Sequence, residues 1–150
     1  MKPKVILLFV GSCLLSPLAL AEDLAIGSEL AAGYYANHAG SNTLRAAQIG
    51  THNDAELVQL GQRNTASVYQ QGSGNDAAIL QVGGYHSADI AQAGLGHDAQ
   101  IVQRGHGKQA SIDQRGSYAS ADIQQLGSST TPVHVTQLSR GGTKVQVIQR

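Results

Sequence analysis

A glutamine recurs every eleven residues through most of this 150-residue chain. Eight Gln residues keep this spacing from residue 48 to residue 125, and two more continue it at a spacing of twelve. A unit of eleven residues buries too little apolar surface to fold alone, so a regular repeat of this length predicts a stack of units. The ten positions are Gln48, Gln59, Gln70, Gln81, Gln92, Gln103, Gln114, Gln125, Gln137 and Gln149.

The residues around each Gln alternate with a period of two. Ala usually stands four places before Gln, an aliphatic residue stands two places before it, and Gly follows two places after the first eight. This period is typical of a β-strand with one buried face. We therefore expect the following apolar side chains to point inward with Gln: Ala55, Leu57, Ala66, Val68, Ala77, Ile79, Ala88, Ile90, Ala99, Ile101, Ala110, Ile112, Ala121 and Ile123.

The remaining residues of each unit carry Gly together with Asn53, Asn64, Asn75 or a substitute, which favours turns. Strand, turn, strand, turn gives one rung per 22 residues. The sequence thus predicts an all-β, amyloid-forming cross-β solenoid of five strand–turn–strand repeats with two facing parallel sheets. Inward Gln and Asn are tolerated because side-chain amides of neighbouring rungs bond to each other. The open ends of such a stack would template another chain.

The first 21 residues have the features of a secretory signal peptide. Lys2 and Lys4 precede an apolar stretch at residues 5–18, and Ala19-Leu20-Ala21 is a small-x-small cleavage site. An alternative is a lipoprotein signal at Cys13, which would leave LLSPLALA at the start of the mature chain. Cys13 is the only cysteine, so cleavage after residue 21 would remove any means of forming a disulfide.

Charge is unevenly distributed over the predicted mature chain. Residues 22–103 have a net charge of −6, and residues 104–150 have a net charge of +4. This asymmetry suggests that the two ends have different partners. Arg140, Lys144 and Arg150 are either a solvated terminal face or a surface-attachment region that contacts an acidic partner or the outer membrane surface.

The sequence contains none of the HExxH, GxSxG or phosphate-binding glycine motifs. We expect no enzyme, no cofactor and no metal site. His86 and His97 fall in consecutive units, on opposite columns, and we interpret them as solvated turn residues. His86, His97, Lys108 and Ala119 replace Asn, and we expect weaker ladders at those rungs.

Residues 66–81 spell A-x3-Q-x-G-x2-N-x-A-x3-Q, which resembles the curlin repeat. Curlins are the exported subunits of curli, the functional amyloid fibres of bacterial surfaces. The resemblance covers residues 44–150, which we predict to be the repeat domain. Residues 22–43, a polar segment, lack the eleven-residue register, so we expect them to lie outside the amyloid core. The resemblance implies that they are recognised by the outer-membrane secretion pore and its accessory factors.

Within the family, the chain more closely resembles the minor subunit, since it is poor in aromatic residues and its last repeat is basic and ends VQVIQR. The resemblance then implies nucleation of the major curlin subunit into cell-surface fibres, in support of adhesion and biofilm formation. The C-terminal repeat would hold the protein at the outer surface while earlier rungs template fibres. Self-association is expected, and nucleic-acid binding is not. The alternatives are a major, bulk fibre subunit and a monomeric β-solenoid that binds a ligand or acts as an enzyme.

Overall fold

The structure, a computed structural model, describes residues 41–150 and, before them, the strands at residues 4–10 and 33–39. Most of the predicted signal peptide, its cleavage point after Ala21 and residues 22–32 lie outside the described residues. Every regular element in the described part of the chain is a β-strand. The strands are β1 (Lys4–Val10), β2 (Gly33–Ala39), β3 (Asn42–Thr51), β4 (Asp54–Gln62), β5 (Thr65–Ser73), β6 (Asp76–Gly84), β7 (Ser87–Leu95), β8 (Asp98–His106), β9 (Gln109–Gln125) and β10 (Val133–Gln149).

The strands from β3 onward form two parallel columns. β3, β5, β7 and the first halves of β9 and β10 make the first column. β4, β6, β8 and the second halves of β9 and β10 make the second. Strand residues of rungs 1 to 3 pair with the residue 22 places later, for example Gln70 with Gln92. The predicted solenoid of five rungs with two parallel sheets is confirmed, and we number the rungs 1 to 5 from residue 42.

The interior between the columns is narrow and consists of the inward rows that the period of two predicts. All of the Ala, Leu, Val and Ile residues predicted to face inward are buried, with exposed fractions of 5% or less. Asn42, Leu44 and Ala46 of β3 belong to the same rows and are also buried. These three positions lie eleven residues before Asn53, Ala55 and Leu57, so the repeat spacing could have predicted their burial.

Most of the glycines two residues after Gln lie very close to the backbone of the next rung. Gly72 has φ of +120°, a conformation that side chains rarely adopt. A Cβ atom on Gly72 would lie 1.9 Å from the carbonyl oxygen of Gly94 in the next rung. The strand can therefore bend into its turn at this position only without a side chain. In rung 5, Ser139 takes the place of this glycine and pairs with Gly116.

Rung 5 departs from the 22-residue register. β10 pairs with β9 at an offset of 23 in the first column and, after a bulge between Arg140 and Thr143, at an offset of 24 in the second. The longer connection at residues 126–132 accommodates the first extra residue. Lys108, which is 1% exposed, donates from Nζ to the carbonyl oxygen of Ser129 at 2.6 Å and so holds this connection against rung 4.

The two ends of the stack differ. At the end of rung 1, β2 pairs antiparallel with β3, and β1 pairs parallel with β4. β1 lies within the predicted signal peptide, so cleavage after Ala21 would leave that edge of β4 unpaired. At the other end, β10 pairs only with β9 among the described residues. The 17-residue strand β10 is therefore an open edge.

Candidate assembly interface

The predicted Gln residues form two continuous ladders along the stack. In the first column, Nε2 of each Gln donates to Oε1 of the Gln one rung further on, from Gln48 to Gln137. The second column repeats this from Gln59 to Gln149. The eight donor–acceptor distances are 2.7–3.0 Å. All eight bonds run in the same direction, from rung 1 towards rung 5.

Eight of the ten Gln residues, from Gln59 to Gln137, also tie one column to the other, a contact that the sequence did not indicate. Nε2 of Gln70 donates to the carbonyl oxygen of Asp54 at 2.8 Å, and Nε2 of Gln92 donates to that of Asp76 at 2.9 Å. These carbonyl groups belong to the opposite column, sixteen residues earlier. The second amide proton is thus satisfied inside the core, where an unpaired N–H group would be costly.

The one-way direction of the ladders leaves an acceptor at the end of rung 1. Oε1 of Gln59 is buried and has no hydrogen-bond partner among the described residues. The donor of Gln137 in rung 5, by contrast, is satisfied by the carbonyl oxygens of Ser120 and Thr143. Rung 1 therefore presents an acceptor, and the stack has a chemical direction.

Asn53, Asn64 and Asn75 form the predicted second type of ladder at the turns. Oδ1 of Asn53 accepts from the backbone N–H of Asn75 at 3.2 Å. Nδ2 of Asn53 donates to the carbonyl oxygen of Gly72 at 3.2 Å. Asn42 begins the corresponding ladder on the other side, because its Oδ1 accepts from the backbone N–H of Asn64 at 3.0 Å. Each turn is therefore fixed to the turn of the next rung.

The interpretation of His86 and His97 as solvated turn residues is wrong. Each side chain is 1% exposed, because each takes the place of Asn in the ladder. Nδ1 of His86 accepts from the backbone N–H of Lys108, and Nδ1 of His97 accepts from that of Ala119, both at 3.2 Å. The ring geometry requires neutral histidine, since a protonated Nδ1 could not accept these bonds. No residue pattern in the sequence indicates that imidazole can replace the amide as an acceptor.

Burial lowers the pKa of His86, and the nearby charges of Lys108 and His106 act in the same direction. Backbone hydrogen bonds to the ring oppose this effect but are weaker. The neutral form that the ladder needs is thus the favoured one. The ladder of His97 ends one rung further on, because the methyl group of Ala119 neither donates nor accepts.

On the outside of the second column, Asp54, Asp76 and Asp98 lie one above another. Partial burial and the two flanking carboxylates raise the pKa of Asp76. The described residues contain no group of three His, Cys, Asp or Glu side chains arranged to hold a metal ion. The column therefore contributes surface charge and some repulsion between rungs.

The C-terminal rung continues both ladders but leaves them open. Gln137 is 4% exposed and Val135 is 7% exposed, whereas Val133, Val145 and Val147 are only partly covered by rung 4. Beyond them β10 has no further strand among the described residues. Another rung with the same inward row would pair with the backbone edge of β10 and cover the valines.

The three basic residues of the predicted attachment region are exposed but do not form one strip. Arg140 and Lys144 lie on either side of the bulge between the two halves of β10. Arg150 follows the end of β10, six residues beyond Lys144 along an extended strand, which corresponds to about 20 Å. Their role in attachment stays a prediction.

A family model described as the curlin associated repeat matches residues 40–72 and residues 61–94. The two matches together cover rungs 1 and 2 and most of the first half of rung 3, where the ladders are most regular. This chain is a curlin-repeat protein. A search of curated proteins and a search of solved structures each found no match.

Curlin repeats indicate a subunit of the extracellular curli fibre, a non-enzymatic structural protein that self-associates. The second half of rung 3 and rungs 4 and 5 extend the same ladders beyond the matched residues. Within the described residues there is no helix with both the length and the apolar character needed to cross a bilayer. The repeats do not distinguish a minor from a major curlin subunit.

Proposed function

We propose that this protein is the minor curlin subunit, which nucleates polymerisation of the major subunit on the bacterial surface. The observation that carries the proposal is the open edge of β10. It presents unpaired backbone groups, partly covered valines and two Gln ladders in the register of a curlin repeat. An incoming curlin chain can add its first rung there by β-strand addition.

The interruptions of the turn ladders favour a nucleator over a bulk subunit. Lys108 and Ala119 replace Asn in rung 4, and Ser139 replaces the turn glycine in rung 5. His86 and His97 keep the acceptor of the ladder in rung 3 but replace the amide. A fibre made mainly of this chain would repeat these interruptions every five rungs. A protein needed at one position of the fibre has to supply only one good edge.

The test is seeded polymerisation of a purified major curlin subunit, followed by amyloid-dye fluorescence. Residues 22–150 of this chain, added at a small molar fraction, should abolish the lag phase. A Gln137→Leu variant should restore part of the lag because it interrupts the ladder at the open edge. Gln146→Leu changes an exposed side chain of the same strand and should seed like the wild type. Lag times that stay unchanged at every ratio would support the bulk-subunit alternative.

Attachment to the outer surface is the second part of the proposal. Arg140, Lys144 and Arg150 are exposed, whereas the edge groups of β10 point along the stack, so attachment and templating use different atoms. Deleting residues 128–150 should release the protein into the medium in a cell-fractionation experiment, with fibres forming away from cells. Replacing only the three basic residues by Ala should release it while leaving seeding intact. If the triple variant stays cell-bound, the three basic residues are only a solvated terminal face.

We also infer from the resemblance that residues 22–43 are recognised by the outer-membrane secretion pore and its accessory factors. We predict that these residues lie outside the amyloid core of the assembled fibre. This prediction is supported by the absence of the eleven-residue register before residue 42.

A further inference from the structure

The outer face of the second column carries an apolar row that the assembly described above does not use. We call this surface the lateral face, formed by the outward side chains of β4, β6, β8 and the second halves of β9 and β10. Its central row is aliphatic in four of five rungs. From rung 1 to rung 5 the row consists of Val58, Leu80, Val102, Gln124 and Ile148.

The apolar surface is widest over the first two rungs, where Leu60 and Val82 lie beside the central row. The corresponding row outside the first column is more polar. It contains Tyr69, which is 42% exposed, and then Asp113 and Thr136 in rungs 4 and 5. The central row of the lateral face is therefore more apolar than the corresponding row of the first column.

A shallow groove crosses the lateral face at rung 2. Ala78 stands between Glu56 and Gln100, and its short side chain leaves a depression next to Val58 and Leu80. A branched aliphatic side chain from outside would fill this space. A surface that packs on the lateral face must therefore be apolar and must also carry a side chain that fits this groove.

We propose that the lateral face packs against the lateral face of a second copy, with a two-fold axis parallel to the stack. This symmetry keeps rung against rung and reverses the strand direction. The central row then faces itself, Ala78 faces Val82 of the second copy, and Asp98 faces His106 of the second copy. Asp98 and His106 are both exposed, so their side chains are free to meet across the contact.

Charge selects this orientation over its alternative. With the two-fold axis along the strands, rung 1 would face rung 5 and each row would face itself in reverse. Asp98 would then meet Asp98, and Arg104 would meet Arg104, both in rung 3. Like charges placed opposite each other are unfavourable, whereas the parallel arrangement places no like charges in contact.

The area of the lateral face indicates that the pairing is stable between filaments and weak between single copies. Five rungs at about 4.8 Å by seven residues at about 3.3 Å give roughly 550 Å² for each copy. A stable dimer usually buries about 800 Å² on each partner. One pair of copies is thus weakly held, and the contact area grows with every copy that joins the stack. The expected result is two filaments running side by side in the same direction.

Mass per length measured by electron microscopy tests the proposal in filaments grown from residues 22–150. The wild-type filament should have twice the mass per length of a single stack. Leu80→Lys should reduce it two-fold, because lysine cannot be buried in the apolar contact. Tyr69→Lys is the matched control on the other outer face and should leave the mass unchanged. Single wild-type filaments, or Leu80→Lys filaments that stay paired, would overturn the proposal.

A milder variant covers the case in which lysine disturbs folding. Cys13 lies in the predicted signal peptide, so Leu80→Cys gives the mature chain one thiol. In filaments a short bismaleimide should join it into dimers, since the next copy along the same stack is five rungs, about 24 Å, away. Tyr69→Cys should stay monomeric. Equal cross-linking of the two variants, or none at position 80, contradicts lateral pairing. Seeding measured on the same samples tests nucleation separately.

Discussion

At the scale of single residues, the buried side-chain amides do most to specify this structure. From Gln59 to Gln125, each inward Gln donates one bond along the stack and one across it, so the amide satisfies both of its protons without water. The ladder along the stack could be predicted from the spacing of Gln alone. The bond across the core could not, because it depends on the distance between the columns, which no residue pattern encodes.

Replacing Gln92 by Leu should destabilise the stack by about 1–3 kcal/mol, since it leaves Nε2 of Gln70 and Oε1 of Gln114 without their ladder partners. The midpoint of guanidinium unfolding of the assembled chain measures this loss. Gln71→Leu makes the same change at an exposed neighbouring position and should have little effect. Equal losses in both variants would mean that the ladder contributes nothing beyond ordinary burial.

The turn glycine supplies a second test at this scale. Gly72→Ala should prevent normal stacking, because its Cβ would overlap the carbonyl oxygen of Gly94. Gly74→Ala is the control, since φ there is also positive, at +67°, but a Cβ meets no atom within 4 Å. Its cost should be only the backbone strain of about 1–2 kcal/mol. Circular dichroism and dye binding compare the two. If the two variants lose a similar amount of structure, the loss comes from the positive φ angle and not from overlap between rungs.

At the scale of elements, the rungs are alike in strand register and differ in their turns. The period of two fixed the inward rows correctly because burial on one face is a property of the local pattern. The burial of His86 and His97 could not be predicted from this pattern. Their burial depends on what the turns of the adjacent rungs offer, and only the stacked structure shows a backbone N–H group directed at each ring.

Acid should weaken rungs 3 and 4. The pKa of His86 is lowered in the folded chain, so below the ordinary value of 6.5 the unfolded chain binds more protons. The stability that neutral His86 allows is present above that value and is lost as the pH falls further. His86→Asn should therefore flatten the fall in unfolding midpoint between about pH 8 and about pH 5. His134→Asn, at an exposed position, should not. An unchanged slope in His86→Asn would assign the pH dependence to other groups.

At the scale of the whole molecule, each rung contacts only its neighbours. Stability is then close to a sum of equivalent terms, as in other repeat proteins. The number of rungs, the column arrangement and the parallel register were all predictable, because they follow from the period of eleven. The pairing of β1 and β2 with rung 1 was not, since residues 4–10 and 33–39 lack that period.

Deleting residues 65–86 removes one complete rung and should leave a four-rung stack, because Asn64 would then be followed by Ser87 in the place of Thr65. The shortened chain should still give fibre reflections near about 4.8 Å and about 10 Å, with a lower unfolding midpoint. Replacing the same residues by a flexible Gly/Ser segment should be more damaging, because a long loop adds a closure cost. Loss of the cross-β reflections in the deletion variant would show that the rungs are not interchangeable.

The shared direction of the eight Gln–Gln bonds gives the molecule an electric polarity. Each amide directs its positive N–H end towards rung 5, and aligned dipoles add as they do along a helix. The ionised side chains reinforce this, with a net charge of −3 over residues 41–103 and +4 over residues 104–150. Two copies that approach end to end are therefore turned head to tail before they touch. At physiological ionic strength this field reaches only about 8 Å, so high salt should slow the joining of stacks more than it weakens stacks already joined.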